Sequence, residues 1–520
     1  MCRVFDKTAG SFYNNKDDKK EGLVLTNEKK TELFETVPIP KAVAALGLPT
    51  VAASLVMVLY NLADTYFVGA INDPVETAAV TLAAPVLLAF NAVINLFGVG
   101  TGSLMSRCLG KKDYESVRRT SAYGFYCALF SAILMALACT LFRGGLLKLL
   151  GATAETASST KDYLFWTVTL GAVPSILNMV TGNLIRSEGE SLHASIGTMS
   201  GCLINVVLDP LFIMPWGLDM GAAGAGCATF LSNCIACLYF AGFLIARRGK
   251  SFVCLDPRRF SFDREIAGEV AKVGVPAAVQ NLLNVTGMTV LNNFTAAFGS
   301  SAVAAMGITH KVNMIPMYIS MGLGQGIMPL VGYNWSAGNS QRMKSAILFT
   351  LKFTAAFIVL ASAAYFVFAG NIIRLFMENE EIVAYGSRFL RGFCLGLPFL
   401  SIDFLAVGIF QAVGMGKESF VFAVLRKVVL EIPALIVLNK LWPLYGLAYS
   451  QLVAEAVLAV AAVIVTVRLF KKMERKTAWI ASRTGLLPRN ENDTFEMPPE
   501  MCTPGRFSLI QAQASMKSIP

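Results

Sequence analysis

The sequence is short of charge and nearly devoid of histidine. Of its 520 residues only 15% are Asp, Glu, Lys or Arg, and His193 and His310 are the 2 histidines. A soluble domain carries about 25% charged residues. The shortage excludes a disordered chain and a nucleic-acid-binding protein, and it leaves too little charge for the surface of an ordinary soluble enzyme. The 11 cysteines are no disulfide framework, because Cys127, Cys139, Cys202, Cys227, Cys234, Cys237 and Cys394 lie inside apolar runs. There cysteine packs as a small hydrophobe. Cys234 and Cys237 form a C-x-x-C without the second pair that a metal motif needs. Residues 1–36 lack an apolar h-region, so no cleavable signal peptide is expected and the first hydrophobic helix serves as the insertion signal.

What is abundant is apolar sequence: 55% hydrophobic residues and a mean hydropathy of +0.58. One bilayer span needs roughly 20 apolar residues. Runs near 41–69, 77–105, 119–142, 160–184, 192–215 and 222–246 precede a basic linker, and runs near 266–297, 301–332, 343–369, 384–413, 419–440 and 444–469 follow it. The expected fold class is an all-α polytopic membrane protein of twelve transmembrane helices. Its divisions are a polar head (1–40), an N-lobe (41–246), the linker (247–264), a C-lobe (265–471) and a polar tail (472–520), disordered from about Thr477.

The net charge of +10 falls in short clusters rather than in one patch. Loops after even-numbered helices hold most of it, as in Arg107, Lys111, Lys112, Arg118 and Arg119, or Arg342 and Lys344. Arg143, Lys148, Lys161, Arg374, Arg388 and Lys440 break the pattern. By the positive-inside rule the even loops and both termini are cytoplasmic, in a plasma (inner) membrane.

An internal repeat organises the chain. Leu46-Gly47-Leu48-Pro49 resembles Val273-Gly274-Val275-Pro276, and Gly98-Val99-Gly100-Thr101-Gly102 resembles Gly322-Leu323-Gly324-Gln325-Gly326. Leu208-Asp209-Pro210 answers to Leu430-Glu431-Ile432-Pro433, and Gly224 to Gly446. Six helices per half is an even number, so both halves enter from the same side. The pseudo-two-fold axis then lies along the membrane normal. Two such lobes around a cleft suit alternating access.

A carboxylate at mid-bilayer depth costs at least about 2.5 kcal/mol and calls for a reason. The deep acids are Asp64, Asp209, Asp403, Glu431 and Glu455. In the repeat, Asp64 aligns with Asn292 or Asn293, Asn178 with Asp403, Asn233 with Glu455 and Asp209 with Glu431. Asn205 lies one turn before Asp209, on the same helix face. Pro210 frees a backbone carbonyl in the preceding turn. Together these oxygens resemble a hard-cation site, with sodium as the candidate metal, that protonation would destroy. The plainer alternative is a polar cluster that ties helices together. Glu431 has Lys427 one turn earlier as a candidate partner, while Asp403 and Glu455 show no cation nearby in their own helices. Lys311 is expected to form a salt bridge within the second lobe, and His193 to lie at the surface.

These residues resemble the multidrug and toxic compound extrusion (MATE) transporters. The likeness is carried by Asp64-Thr65-Tyr66-Phe67-Val68-Gly69, Ser106-Arg107-Cys108-Leu109-Gly110, Arg186-Ser187-Glu188-Gly189, Asn205-Val206-Val207-Leu208-Asp209-Pro210, Phe410-Gln411-Ala412-Val413-Gly414 and the run from Gly324 to Asn334. It covers about residues 41–471. It implies export of small organic cations or drugs in exchange for sodium or protons, with no cofactor, no enzymatic activity and a monomer acting alone in the bilayer. It implies ion coupling at Asp64 and Asp209 with Asn205 beside them, and a second-lobe acid matched by Asp403. A second-lobe acid found in the seventh helix of some members has no match, since Gln280, Asn281 and Asn284 occupy that region. Asp403, Tyr60, Asn61, Asn178, Gln280 and Met288 are expected to meet the substrate. Two other readings are a lipid-linked oligosaccharide flippase and a membrane-embedded enzyme. The first needs several cations in the cleft. The second needs a compact catalytic constellation.

Overall fold

The computed structural model describes residues 31–71 and 73–483, with side chains to residue 475. Residues 31–35 form a helical turn. Six helices follow: α1 (Ile39–Ala70), α2 (Pro74–Gly110), α3 (Tyr114–Leu141), α4 (Ala157–Leu170 and Ala172–Ser187), α5 (Ser191–Ile213) and α6 (Gly221–Ala246). The second six are α7 (Arg264–Ala296), α8 (Ser300–Ala337), α9 (Ser340–Arg374), α10 (Glu380–Val413), α11 (Gly416–Val424, Leu425–Glu431 and Ile432–Leu441) and α12 (Gly446–Arg483). Among the described residues, 9 of these helices are individually long and apolar enough to cross a membrane, and α4 is a tenth, bent by 47°. The other two, α7 and α11, hold Gln280, Asn281 and Asn284, and Arg426, Lys427 and Glu431. The expected helix ends differ most at α12, which continues to Arg483, while α2, α8 and α9 run on to Gly110, Ala337 and Arg374. The rest of the tail expected to be disordered, and residues 1–30 of the head, lie outside the described residues.

Local sequence sets the helix ends. Asp73, Asp113, Asp263, Asn339 and Asn379 each accept a backbone N–H at a helix start. Such caps satisfy donors that have no partner within the helix. Gly338 (φ 77°) and Gly414 (φ 83°) close α8 and α10 in the left-handed conformation that glycine adopts freely. The helical repeat is broken by π-helical turns at Asn95–Val99, Phe165–Leu170 and Leu425–Glu431. Each such turn advances the helix face that follows it.

The lobes meet at one end. There Gly326 of α8 lies so close to α1 that a Cβ would stand 2.8 Å from Gly47 Cα. Ser103 Oγ donates to Gln411 O across the junction at 2.5 Å, and Arg107 Nη1 pairs with Glu269 Oε2 at 2.6 Å. The linker docks on the same end rather than hanging free. Buried Glu188 accepts Ser251 Oγ at 2.7 Å and Phe252 N at 2.6 Å, and Tyr126 Oη donates to Leu255 O at 2.6 Å. The even-numbered loops therefore gather where the lobes touch. At the other end of α1 and α7, Asn61, Thr65, Tyr66, Asn292 and Asn293 are exposed.

Candidate functional site

The N-lobe site is built where α5 packs against α1 and α6. Asp209 is fully buried at 0% exposure and Asn205 nearly so at 2%. With its amide nitrogen facing the carboxylate, Asn205 donates to Asp209 Oδ2 at 2.8 Å. Its oxygen then accepts from Thr229 N at 3.1 Å and Thr229 Oγ1 at 3.3 Å. The two side chains share a face because they are one turn apart. Asp64 on α1 is half-buried and within electrostatic reach of Asp209. Tyr60 and Tyr163 lie within reach of both acids. The polar network continues outward through Asn233, whose Nδ2 donates to Thr229 O at 2.8 Å, to Asn178, whose Nδ2 donates to Asn233 Oδ1 at 2.9 Å.

The C-lobe holds a different arrangement. Arg426 on α11 is buried between two acids. Its Nη2 lies 2.7 Å from Glu455 Oε1 on α12, and its Nη1 lies 3.6 Å from Asp403 Oδ2 on α10. The guanidinium also stands 4.7 Å from the Phe404 ring centroid. Asp403 and Glu455 thus find their cation not in their own helices but on α11. Lys427 Nζ pairs with Glu431 Oε2 at 2.6 Å, as the one-turn spacing predicted. Lys311 departs from expectation, since among the described residues no carboxylate lies within ion-pair distance of it. His193 is half-buried rather than at the surface, with Nδ1 3.0 Å from Tyr239 Oη.

The family model described as MatE matches residues 49–211 and again 276–437. This chain belongs to the MatE family. Its two matches fall one in each lobe, as the internal repeat requires. Multidrug export protein MepA of Staphylococcus aureus (strain MSSA476) is 31% identical over 433 residues, 83% of this chain and 94% of that protein. Its counterpart in Staphylococcus haemolyticus (strain JCSC1435) is 32% identical over 442 residues, 85% of this chain and 96% of that one. The fold is similar to an outward-facing conformation of a multidrug resistance MATE family transporter, with a TM-score of 0.81, 24% identity, and 86% of this chain and 99% of that one covered. A crystal structure of MATE in complex with MaD5 gives a TM-score of 0.80 at 25% identity over the same shares. MatE proteins are transporters, not enzymes, and this one is a multi-pass membrane protein.

In this MatE chain the residues named for ion coupling, Asp64, Asp209 and Asn205, come together with Tyr60. The residues named for substrate do not form one surface. Asn178 is 4% exposed, inside the N-lobe. Asp403 is 1% exposed, beside Arg426 in the C-lobe interior. Gln280 accepts from Gln411 Nε2 at 3.4 Å, at the junction where the lobes touch. Asn61 is exposed, with its amide on Met57 O at 2.8 Å, and Met288 is 46% exposed. Thr229, Tyr163 and Arg426 were not singled out from sequence. Their spacing within a helix carries no signal, because their partners sit on other helices.

Proposed function

We propose that the protein is a secondary active antiporter that exports cationic amphiphilic compounds in exchange for sodium ions or protons by alternating access. The observation that carries this is Asp209, a wholly buried carboxylate held by Asn205, with a second acid, Asp64, within reach on α1. Burying a carboxylate without a cationic partner is costly. A site that keeps one in the membrane is suited to taking up a proton or a cation in part of a cycle. The carboxylate oxygens of Asp209 and Asp64 suit a hard cation such as sodium as well as a proton, whereas Asn205, expected to offer its oxygen, turns its amide nitrogen to Asp209 and its oxygen to Thr229.

On this reading the basic end, where the lobes touch, faces the cytoplasm, and the exposed ends of α1 and α7 face outward. A cation taken up at Asp209 and Asp64 alters the packing of α1 on α5 and releases the drug. The lobes then rock, the basic end opens, and the next drug loads. The chain acts as a monomer in the plasma membrane. The name of the staphylococcal relatives, multidrug export protein, supports varied drugs as cargo. A flippase for pyrophosphate-linked sugars is disfavoured, because buried Arg426 and half-buried Lys427 are already engaged by carboxylates. The test is dye accumulation in a pump-deficient host. Cells carrying the native protein should retain less ethidium than cells carrying Asp209→Asn at equal expression.

A further inference from the structure

Along α5–α6 and α11–α12, one constant shift in numbering pairs Asn205 with Lys427, Asp209 with Glu431, Gly224 with Gly446 and Asn233 with Glu455. The same shift pairs Ile204 with Arg426. The C-lobe thus carries two adjacent cations where the N-lobe carries an aliphatic side chain and an amide. We propose that Lys427 is a tethered counter-ion that closes the C-lobe counterpart of the Asn205–Asp209 site, so that Glu431 takes no part in ion exchange. This rests on the antiport reading.

The geometry of the pair is that of an occupied site. Lys427 Nζ is 2.6 Å from Glu431 Oε2 and 2.7 Å from Oε1, and the side chains are only 14% and 9% exposed. In the N-lobe the equivalent atom facing the carboxylate is the uncharged Asn205 amide, at 2.8 Å. The facing helix makes room for the lysine: a Cβ on Gly287 of α7 would lie 2.9 Å from Lys427 Cδ. The charged and titratable groups around the pair are His310 on α8, Arg426 on α11, Asp403 on α10 and Glu455 on α12. Arg426 is engaged by Glu455 at 2.7 Å, so Glu431 keeps Lys427 to itself. An ammonium one helical turn away has a high effective concentration at the carboxylate, against which a dissolved ion competes poorly. Asp209 has no such tether, and that difference directs exchange to the N-lobe.

The experiment uses the full chain in proteoliposomes, with ethidium as cargo and an imposed sodium or proton gradient. The gradient at which net ethidium flux reverses gives the number of ions moved per ethidium. Native protein and the charge-neutral double variant Lys427→Gln/Glu431→Gln are expected to give the same number. Lys427→Gln alone, which bares Glu431, is expected to raise it by one. The proposal is overturned if the folded double variant loses coupled transport, or if folded Lys427→Gln leaves the number unchanged. If Lys427→Gln proves too unstable to reconstitute, the double variant decides alone. Failure of the antiport reading would show separately, as native ethidium flux that answers to neither gradient.

Discussion

Asn178 on α4 donates a 2.9 Å hydrogen bond to Asn233 on α6, and the repeat-equivalent positions in the other lobe are Asp403 and Glu455, joined through Arg426. The same two places in the fold are thus bridged by amides in one lobe and by a buried ion cluster in the other. The amide bridge is one end of the network that reaches Asp209 through Thr229 and Asn205. Asn233→Leu leaves the buried Asn178 amide without its partner, which costs about 1–3 kcal/mol. A lower melting temperature is expected, with a smaller loss of ethidium export than Asp209→Asn causes. Equal losses in the two variants would show that the amides belong to the ion site itself.

Arg426→Leu strands Glu455 and Asp403, which are 0% and 1% exposed. Removing one partner of a buried ion pair costs about 3–5 kcal/mol. Thermal melting of purified protein should therefore fall further for Arg426→Leu than for any change at the half-exposed Lys344–Glu474 pair. A melting temperature unchanged from native would contradict the cluster.

At the basic end, a Cβ on Gly326 would stand 2.8 Å from Gly47 Cα. Gly326→Val is expected to wedge the lobes apart at that junction. Cysteines placed along the junction should then label faster with a membrane-impermeant maleimide added from the cytoplasmic side of inverted vesicles, and export should stall. Unchanged labelling would show that the junction yields without opening.

The segment before α1 is strapped across the same end. Arg342 Nε donates to Phe34 O at 2.5 Å, and its Nη2 donates to Leu33 O at 3.2 Å and Val37 O at 2.5 Å. Phe34 stacks on Tyr333 at 5.0 Å between centroids. Arg342→Ala removes three backbone-directed donors, so amide hydrogen exchange over residues 31–37 should rise by at least about fivefold, the equivalent of one net hydrogen bond of about 1 kcal/mol. Exchange at the native rate would mean that the Phe34–Tyr333 stack, with the hydrogen bonds of Asn334 to Phe34 O and of Tyr333 to Glu35, holds the strap without Arg342.

The sequence made the twelve helices and the repeat legible, because a lack of charge and a recurring glycine pattern are properties of single segments. It made Asn205–Asp209 and Lys427–Glu431 legible for the same reason, since each pair is one turn apart on one helix. Arg426 was hidden. It lies in a π-helical turn, Leu425–Glu431, and its partners Glu455 and Asp403 stand on α12 and α10, so no spacing within its own helix announces them. Thr229 and Tyr163 were hidden because they enter the N-lobe site from α6 and α4, and pairing between helices leaves no spacing to read. Lys311 misled for the converse reason: a deep cation suggested a partner, and its helix face presents it to none among the described residues.

If Asp209 and Asp64 couple ion entry to export, ethidium efflux from energised, pump-deficient cells that express the native protein, Asp209→Asn or Asp64→Asn at matched levels will show it. Either substitution keeps the side-chain shape and removes the charge. Native cells should clear the dye, and both variants should retain it as cells without the pump do. Clearance at the native rate by both folded variants would contradict that coupling.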